Sequence, residues 1–133
     1  MGVRRTHGTD LAYFLGDLDG LEDVALGEVD WRVFYQLIEK GVPVSSAARM
    51  LGRVGAAAFE KCVISRSTLR SKARSARLSA FHSERALRVA RVFARATEVF
   101  GDRSRAVIWL TRANHTLDGA APADLLRNEA GGR

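Results

Sequence analysis

The sequence predicts an all-α protein: a helix-turn-helix part is followed by a long spine helix and then by a small helical part. An apolar stripe at helical spacing runs from about Ala80 to Phe100, which predicts the spine helix. Upstream, two short helical segments meet at the tight link Val63-Ile64, as in a helix-turn-helix. The chain has 133 residues, 47% of them hydrophobic, which is enough for one domain with its own core.

Residues 1–29 are predicted to form an N-terminal extension. Within it, an apolar patch at 11–15 together with Leu18 indicates a brief helix, and the surrounding glycines and acidic residues indicate a loose connection after it. The patch is expected to pack either on the body of the protein or on a second copy of it.

The helix-turn-helix part is predicted to span 30–79 and to open with an amphipathic core helix. Asp30 is a candidate N-cap for a helix from Trp31 to about Lys40, in which four apolar side chains fall at helical spacing. Gly41 should end this helix, because glycine readily adopts the left-handed conformation of a C-terminal cap.

Two further short helices should follow. Ser45 is expected to cap the first, and Gly52 to end it. The second should begin near Gly55 and run to about Cys62. It would form the first half of the helix-turn-helix, because the tight link comes directly after it.

The second half of the helix-turn-helix is predicted to begin at Ser65, a candidate N-cap for a helix of about Arg66 to Arg74. Leu69 and Ala73 should face inward, since they are separated by four residues and so lie on one face. The opposite face would be basic and rich in hydroxyl groups.

The positive charge of the chain is concentrated around this helix. The formal charge sums to −2 over residues 1–58, to +8 over 59–95 and to zero over 96–133. Basic side chains on a short helix neutralise DNA phosphates, and residues of its first turn can reach base edges. The expected DNA-contacting residues are Ser65, Arg66, Ser67, Thr68, Arg70, Lys72 and Arg74.

Within that set, Arg66, Ser67 and Arg70 are expected to contact bases, and the later residues to contact phosphates. The alternative is that the run is a solvated basic helix face with no partner.

The spine helix should be capped by Ser79 and ended by Gly101. Its four arginines lie mostly off the apolar stripe, so a solvated flank is expected, and contact with phosphates is the alternative. They are Arg85, Arg88, Arg91 and Arg95. His82 is expected to be a surface residue.

Chemistry at an active site is not predicted. The sequence has no paired carboxylates, no nucleophile with a base, no glycine-rich phosphate loop and no metal-ligand cluster, so no enzyme, catalytic residue, cofactor or metal is expected. Cys62 is the single cysteine, which fits a cytoplasmic location. No apolar run is long enough for a transmembrane helix, and no membrane partner is expected.

The last segment has a characteristic order of residues from Trp109 to Leu126: W-L-T-R-A-N-H-T-L-D-G-A-A-P-A-D-L-L. Together with I-S-R-S-T-L at 64–69, L-S at 78–79 and V-F-G-D at 99–102, it resembles the Xre/MbcA/ParS-type antitoxins. The tails of these proteins carry the pattern W-L-x-x-P-N-x-x-L-x-G-x-x-P-x-x-L-L. The resemblance covers the chain from about Trp31 to its end.

The resemblance implies an all-helical antitoxin whose C-terminal part, 80–133 here, binds a toxin. It implies a RES-domain toxin that consumes NAD or transfers ADP-ribose from it, a homodimeric antitoxin, and repression of the antitoxin's own operon. It places DNA contact on the helix that starts at 65–68. It places toxin contact on Trp109, Asn114, Leu117, Gly119, Pro122, Leu125 and Leu126.

The same tail residues also suit architectural roles. Trp109 and Leu110 would anchor a helix on the spine, and Asn114 would satisfy backbone groups of a turn. Gly119 would adopt positive φ and Pro122 would open a last helix. Leu125 and Leu126 would close the core. Whether these residues contact a partner or hold the segment's shape therefore stays open.

Two features depart from the family pattern. Ala113 stands where the family prefers proline, which should loosen the turn. Family members usually continue beyond the equivalent of 128–131 with a helix that helps to plug the toxin's active site, whereas this sequence stops at Arg133. Three alternatives stay open: the natural protein ends early, the sequence has been trimmed, or the neutralising tail is missing and only docking and DNA binding remain. A stand-alone helix-turn-helix regulator of transcription, without a toxin partner, is the alternative function.

Overall fold

The computed structural model describes residues 6–16, 18 and 31–127, and these residues form an all-α fold, as predicted. In this part of the chain the α-helices are Thr6–Leu15 (α1), Trp31–Lys40 (α2), Val44–Val54 (α3), Ala56–Cys62 (α4), Arg66–Arg70 (α5), Ala80–Phe100 (α6) and Arg103–Thr111 (α7). Two 3₁₀ helices follow, at His115–Leu117 and Pro122–Arg127.

Helix α6 is the spine of the molecule, and α1, α2, α4 and α7 all pack against it. Both predicted ends of α6 are confirmed: Ser79 Oγ accepts a hydrogen bond from His82 N at 3.2 Å, and Gly101 adopts the left-handed conformation. The inward face of α6 carries Phe93, whose ring lies 5.6 Å from that of Phe14 on α1. Phe100, at the end of the predicted stripe, is more than one-third exposed.

Helix α1 braces the two halves of the protein. Its Leu11, Phe14 and Leu15 are fully buried, and α1 packs on α6 and α3. The predicted apolar patch therefore packs on the body of the protein. The connection at 19–30, which includes the predicted cap Asp30, lies outside the described residues.

The aromatic ring of Tyr13 extends this brace, because two guanidinium groups from different helices lie over it. Arg53 of α3 lies 4.1 Å from the ring centroid, and Arg103 of α7 lies 4.2 Å from it. Arg103 Nε also donates to Asp10 Oδ1 at 3.0 Å, and Asp10 is 4% exposed. One turn of α1 thus ties α3 to the first residue of α7.

The prediction for α3 was wrong at both ends. Pro43, not Ser45, occupies the N-cap position, and the helix passes through Gly52 to end at Gly55, where φ is 95°. A glycine inside a helix costs about 1 kcal/mol relative to alanine. Burial of Val54, which is 1% exposed, contributes more than that, so the helix continues for another turn.

The loop between α2 and α3 is locked against the segment that enters α6. Gly41 ends α2 as predicted, with φ of 90°, and a Cβ at this position would collide with the carbonyl oxygen of Leu78. Val42 N donates to Ser83 Oγ at 2.8 Å, and Leu78 N donates to the Val42 carbonyl at 2.8 Å. These bonds fix the start of the spine relative to the helix-turn-helix.

Candidate functional site

Helices α4 and α5 and the link between them form the predicted helix-turn-helix. Val63 and Ile64 of the link are buried, as is Leu69 of α5. The predicted cap at Ser65 is confirmed, because Ser65 Oγ accepts a hydrogen bond from Thr68 N at 3.2 Å. This cap satisfies one of the free amide groups at the start of α5, so the short helix begins at a defined residue.

Helix α5 is shorter than predicted and ends at Arg70 rather than Arg74. The hydroxyl of Ser71 donates to the Thr68 carbonyl at 2.7 Å, a side-chain bond that competes with continuation of the helix. The prediction that Ala73 faces inward was wrong, since Ala73 is exposed. The residues between Leu69 and Ala76 offer no large apolar side chain whose burial would extend the helix.

The candidate DNA-contacting residues lie together at the surface of the helix-turn-helix. Lys72 is half-buried, and the others are exposed: Ser65, Arg66, Ser67, Thr68, Arg70 and Arg74. Lys72 and Arg74 lie in the turn after α5 and not in the helix itself.

Arg66 is held by Glu60 of α4, a residue that the sequence analysis did not single out. Glu60 Oε2 accepts from Arg66 N at 2.9 Å and pairs with Arg66 Nε at 3.2 Å. Hydrogen bonds from the backbone and side chain of Arg66 lower the pKa of Glu60, and this carboxylate lies at the N-terminus of α5, where the helix dipole favours a negative charge. A carboxylate six residues before the first residue of a helix has no local sequence signature.

The field around the start of α6 is positive. Burial, followed by the charges of Lys72 and Arg85, lowers the pKa of His82. His82 is partly buried, and its Nδ1 lies 3.1 Å from Ser79 Oγ, so the predicted surface position is only partly correct. A cationic imidazole is therefore disfavoured next to the candidate DNA-binding residues.

Two of the spine arginines are structural, contrary to the predicted solvated flank. Arg85 donates from Nε to the Cys62 carbonyl at 2.9 Å and from Nη2 to the Lys61 carbonyl at 3.1 Å, which caps the C-terminus of α4. Arg88 donates to Glu84 at 3.1 Å and to the Leu126 carbonyl at 3.2 Å. Arg91 and Arg95 are exposed.

The predicted turn after α7 forms around Asn114. Asn114 Oδ1 accepts from Thr116 N at 2.9 Å, and Asn114 N donates to the Ala120 carbonyl at 3.0 Å. Gly119 has φ of 85°, as predicted. The turn closes without a proline before the asparagine, because these hydrogen bonds fix it.

The predicted anchors of the tail are only half correct. Pro122 opens a 3₁₀ helix, and Leu126 is buried at 4% exposure, as predicted. Leu125, however, is 46% exposed and Trp109 is 47% exposed. Of the two predicted anchors on α7, Leu110 faces the spine and Trp109 does not, since neighbouring residues on an α-helix are rotated by about 100°.

The tail is fastened to the first helix of the helix-turn-helix. Lys61 Nζ pairs with Asp124 Oδ1 at 3.2 Å, and the buried thiol of Cys62 donates to the Ala123 carbonyl at 3.1 Å. Asp124 also accepts from Ala121 N at 3.1 Å, which fixes the start of the 3₁₀ helix. Helix α4 of the helix-turn-helix, which carries the candidate DNA-binding surface, is therefore in direct contact with the tail, which carries the candidate toxin-binding residues.

Trp109 separates two hollows in the surface of α6 and α7. The first, of about 320 Å³, is lined by Trp109 with Arg88, Arg91, Val92, Arg95, Ala96 and Leu110. The second, of about 380 Å³, is lined by Trp109 with Phe100, Arg105, Ile108, Arg112, Ala113 and Asn114.

None of the helices described within 6–16 and 31–127 is long and apolar enough to cross a membrane.

Comparison with protein families gives two matches that lie end to end. Residues 33–91, which contain most of α2, all of α3 to α5 and the first half of α6, match the antitoxin Xre-like helix-turn-helix domain. Residues 95–133, which contain α7 and the tail, match the C-terminal toxin-binding domain of the antitoxins Xre, MbcA and ParS. No curated protein sequence matches the chain. The chain belongs to the Xre/MbcA/ParS antitoxins, with an Xre-like helix-turn-helix domain ahead of a toxin-binding domain.

Proposed function

We propose that this antitoxin belongs to a type II toxin-antitoxin system, that it binds and neutralises a RES-domain toxin which consumes NAD or transfers ADP-ribose, and that it represses its own operon. The observation that carries the proposal is the pairing of a capped, basic helix-turn-helix with a toxin-binding domain on one spine helix. RES chemistry comes from the family resemblance. A cytoplasmic location follows, since both operator DNA and NAD are found there.

The proposed DNA surface is the exposed side of α5 and the turn after it. Arg66, Ser67 and Arg70 contact base edges, and Ser65, Thr68, Lys72 and Arg74 contact phosphates. The pair between Arg66 and Glu60 is exposed on both sides, and exposed ion pairs are weak. Arg66 can therefore exchange Glu60 for a guanine edge, a favourable partner for its two parallel donors.

The proposed toxin surface is the C-terminal part. The exposure of its side chains distinguishes residues that contact the toxin from residues that hold the shape of the segment. Trp109 and Leu125 contact the toxin. The remaining assigned residues, which are Asn114, Leu117, Gly119, Pro122 and Leu126, chiefly hold the turn and the 3₁₀ helix that present them.

The protein acts on its operator as a homodimer in this proposal. A single helix-turn-helix buries a small contact area, and dimers that reach two half-sites one helical turn apart bind far more tightly. Sedimentation of the protein with and without operator DNA tests this point, and a monomer under both conditions would contradict it.

The function is tested by co-expression with the protein encoded beside it. We expect the two to co-purify, the growth arrest caused by the neighbour to be relieved, and cellular NAD to recover. A complex without rescue would show binding without neutralisation. Absence of any complex, with retained binding to the upstream DNA, would favour a stand-alone helix-turn-helix regulator, which the basic surface of α5 also suits.

A further inference from the structure

The exposed side of α6 and α7 carries an apolar centre inside a ring of arginines. We call it the Trp109 surface, and it consists of Phe100, Ile108 and Trp109 with Arg91, Arg95, Arg105 and Arg112. The rings of Phe100 and Trp109 lie 5.7 Å apart and are inclined at 45°. All three apolar side chains are more than one-third exposed, so the centre of the surface is accessible.

The arginines around this centre are poorly neutralised. Arg105 and Arg112 form no ion pair with any residue of the described ranges, and Arg95 reaches Glu98 only at 3.9 Å. Arg91 stands over the ring of Phe34, with 5.6 Å to its centroid. Among the described residues that line the two hollows beside Trp109, none is acidic. The surface therefore has an unmatched positive rim.

We propose that the Trp109 surface is the docking site for a segment of the toxin that carries apolar side chains flanked by aspartate or glutamate. The segment lies across α6 and α7, so toxin contact extends beyond the tail to Arg91 and Arg95 of the spine. This inference rests on the proposed function. The carboxylates form two-point hydrogen bonds with the arginines, and the apolar side chains enter the hollows on either side of Trp109.

A protein partner fits this surface better than DNA does. Tryptophan and arginine are enriched among the residues that dominate binding energy in protein interfaces, whereas a phosphate gains nothing from an apolar floor. The turn after α5 lies near the first turn of α6, where the charge of Lys72 lowers the pKa of His82. Arg95 lies roughly 20 Å further along the spine at about 1.5 Å per residue, away from the proposed DNA surface.

The toxin is the occupant that the comparisons favour. Arg95, Arg105, Trp109 and Arg112 all fall within residues 95–133, which match the toxin-binding domain. The charge of the surface then specifies the chemistry of the partner: acidic groups around an apolar centre. The assignment adds the arginines of α6 and α7 to the contacts that the tail motif implies.

The test measures the affinity of purified antitoxin for the purified neighbouring toxin. Arg105→Glu and Arg112→Glu should each weaken toxin binding by about tenfold or more. Added salt should reduce the difference in toxin affinity between these variants and the native protein, because it screens the charges. Trp109→Ala should weaken it by roughly thirtyfold or more. Arg49→Glu is the matched control, because Arg49 is exposed on α3 and lines neither hollow.

The outcomes separate the two proposals. If the native protein forms no complex with its neighbour, the proposed function fails and the docking site fails with it. If the complex forms and the three variants bind as tightly as the Arg49→Glu control, the docking inference alone is overturned. Thermal denaturation of each variant checks that the fold is intact, and Arg112→Lys, which keeps the charge, should bind better than Arg112→Glu.

Two other occupants would also overturn the inference. Loss of operator binding with unchanged toxin binding in Arg105→Glu and Arg112→Glu would assign the surface to DNA. Dissociation of a native dimer in these variants, again with unchanged toxin binding, would assign it to a second copy of the chain.

Discussion

Arg66 combines a structural contact with a proposed role in reading DNA. Its amide and guanidinium both bond to Glu60 in the free protein, which holds the side chain beside the first turn of α5. We expect Arg66→Ala to weaken binding to the operator by about 1–3 kcal/mol more than binding to random DNA, because a base contact carries sequence information. Titration of both DNAs at one salt concentration measures this difference.

Lys72 provides the contrast at the same surface. Because Lys72 is proposed to contact a phosphate, Lys72→Ala should weaken binding to operator and to random DNA alike. It should also reduce the slope of the logarithm of affinity against the logarithm of salt concentration by about one. Equal losses on both DNAs for Arg66→Ala, or a selective loss for Lys72→Ala, would reverse the two assignments.

His82 makes the stability of the protein depend on pH. Burial and the charges of Lys72 and Arg85 lower its pKa below the ordinary 6.5. As pH falls below about 6.5, His82 becomes protonated in the unfolded chain but stays neutral in the folded protein. The free energy of unfolding therefore decreases until the pH reaches the lowered pKa of the folded state. Melting temperatures between about pH 7.5 and 5 should show a drop in the native protein that His82→Gln lacks. Identical curves would contradict this.

At the scale of elements, the sequence predicted those helices whose signals are local. Helix α6 follows from Ser79, Gly101 and the stripe between them, and each signal acts within one or two turns. The end of α5 could not be predicted, because it depends on a bond from Ser71 to Thr68. Nor could the outward rotation of Trp109, since the packing of α7 on the spine decides which neighbour faces inward.

Two glycines, one directly after α2 and one inside α3, give opposite expectations. Gly41→Ala should destabilise the protein by about 2 kcal/mol or more, because its φ is positive and the new methyl group would strike the Leu78 carbonyl. Gly52→Ala is the matched control: the position lies inside α3 with no neighbouring atom in the way, and alanine should stabilise by about 0.5–1 kcal/mol. Urea unfolding of both variants decides the sign.

The brace formed by α1 can be tested through α7. Arg103→Ala removes the guanidinium that bonds to the buried Asp10 and stacks on Tyr13, and we expect a loss of about 1–3 kcal/mol. Arg105→Ala, on the same helix and without an ion pair to any described residue, should change stability by less than about 0.5 kcal/mol. A similar loss in both variants would mean that α1 does not brace α7.

At the scale of the whole molecule, the spine helix α6 packs on both the helix-turn-helix part and the toxin-binding part. No contact of α6 therefore marks a division between the two parts, and the predicted boundaries at 29/30 and 79/80 remain predictions. Helix α6 packs on α2 and α4 of the helix-turn-helix and on α7 and the tail. The sequence predicted that a helix-turn-helix comes before a toxin-binding part, because basic charge and the tail motif are visible along the chain. It did not predict the contacts between α4 and the tail, which join residues more than sixty positions apart.

Neighbouring leucines in the tail separate binding from folding. Leu125→Asp should abolish toxin binding while stability changes little and operator affinity stays, because Leu125 is exposed. Leu126→Asp should instead destabilise the protein by about 3 kcal/mol or more, because a carboxylate would enter the core. Circular dichroism and pull-down of the toxin distinguish the two. Loss of helicity in Leu125→Asp would place that residue in the core as well.

The single cysteine makes the docking of the tail observable in time. The Cys62 thiol is fully buried and bonded to the Ala123 carbonyl, so a thiol reagent reaches it only while the tail is lifted or the protein is unfolded. The ratio of its labelling rate to that of the denatured chain therefore reports the free energy of local opening. Because no second thiol contributes, each labelling curve reports on the tail alone. Labelling with operator or toxin present therefore measures how much each ligand raises the free energy of opening the tail.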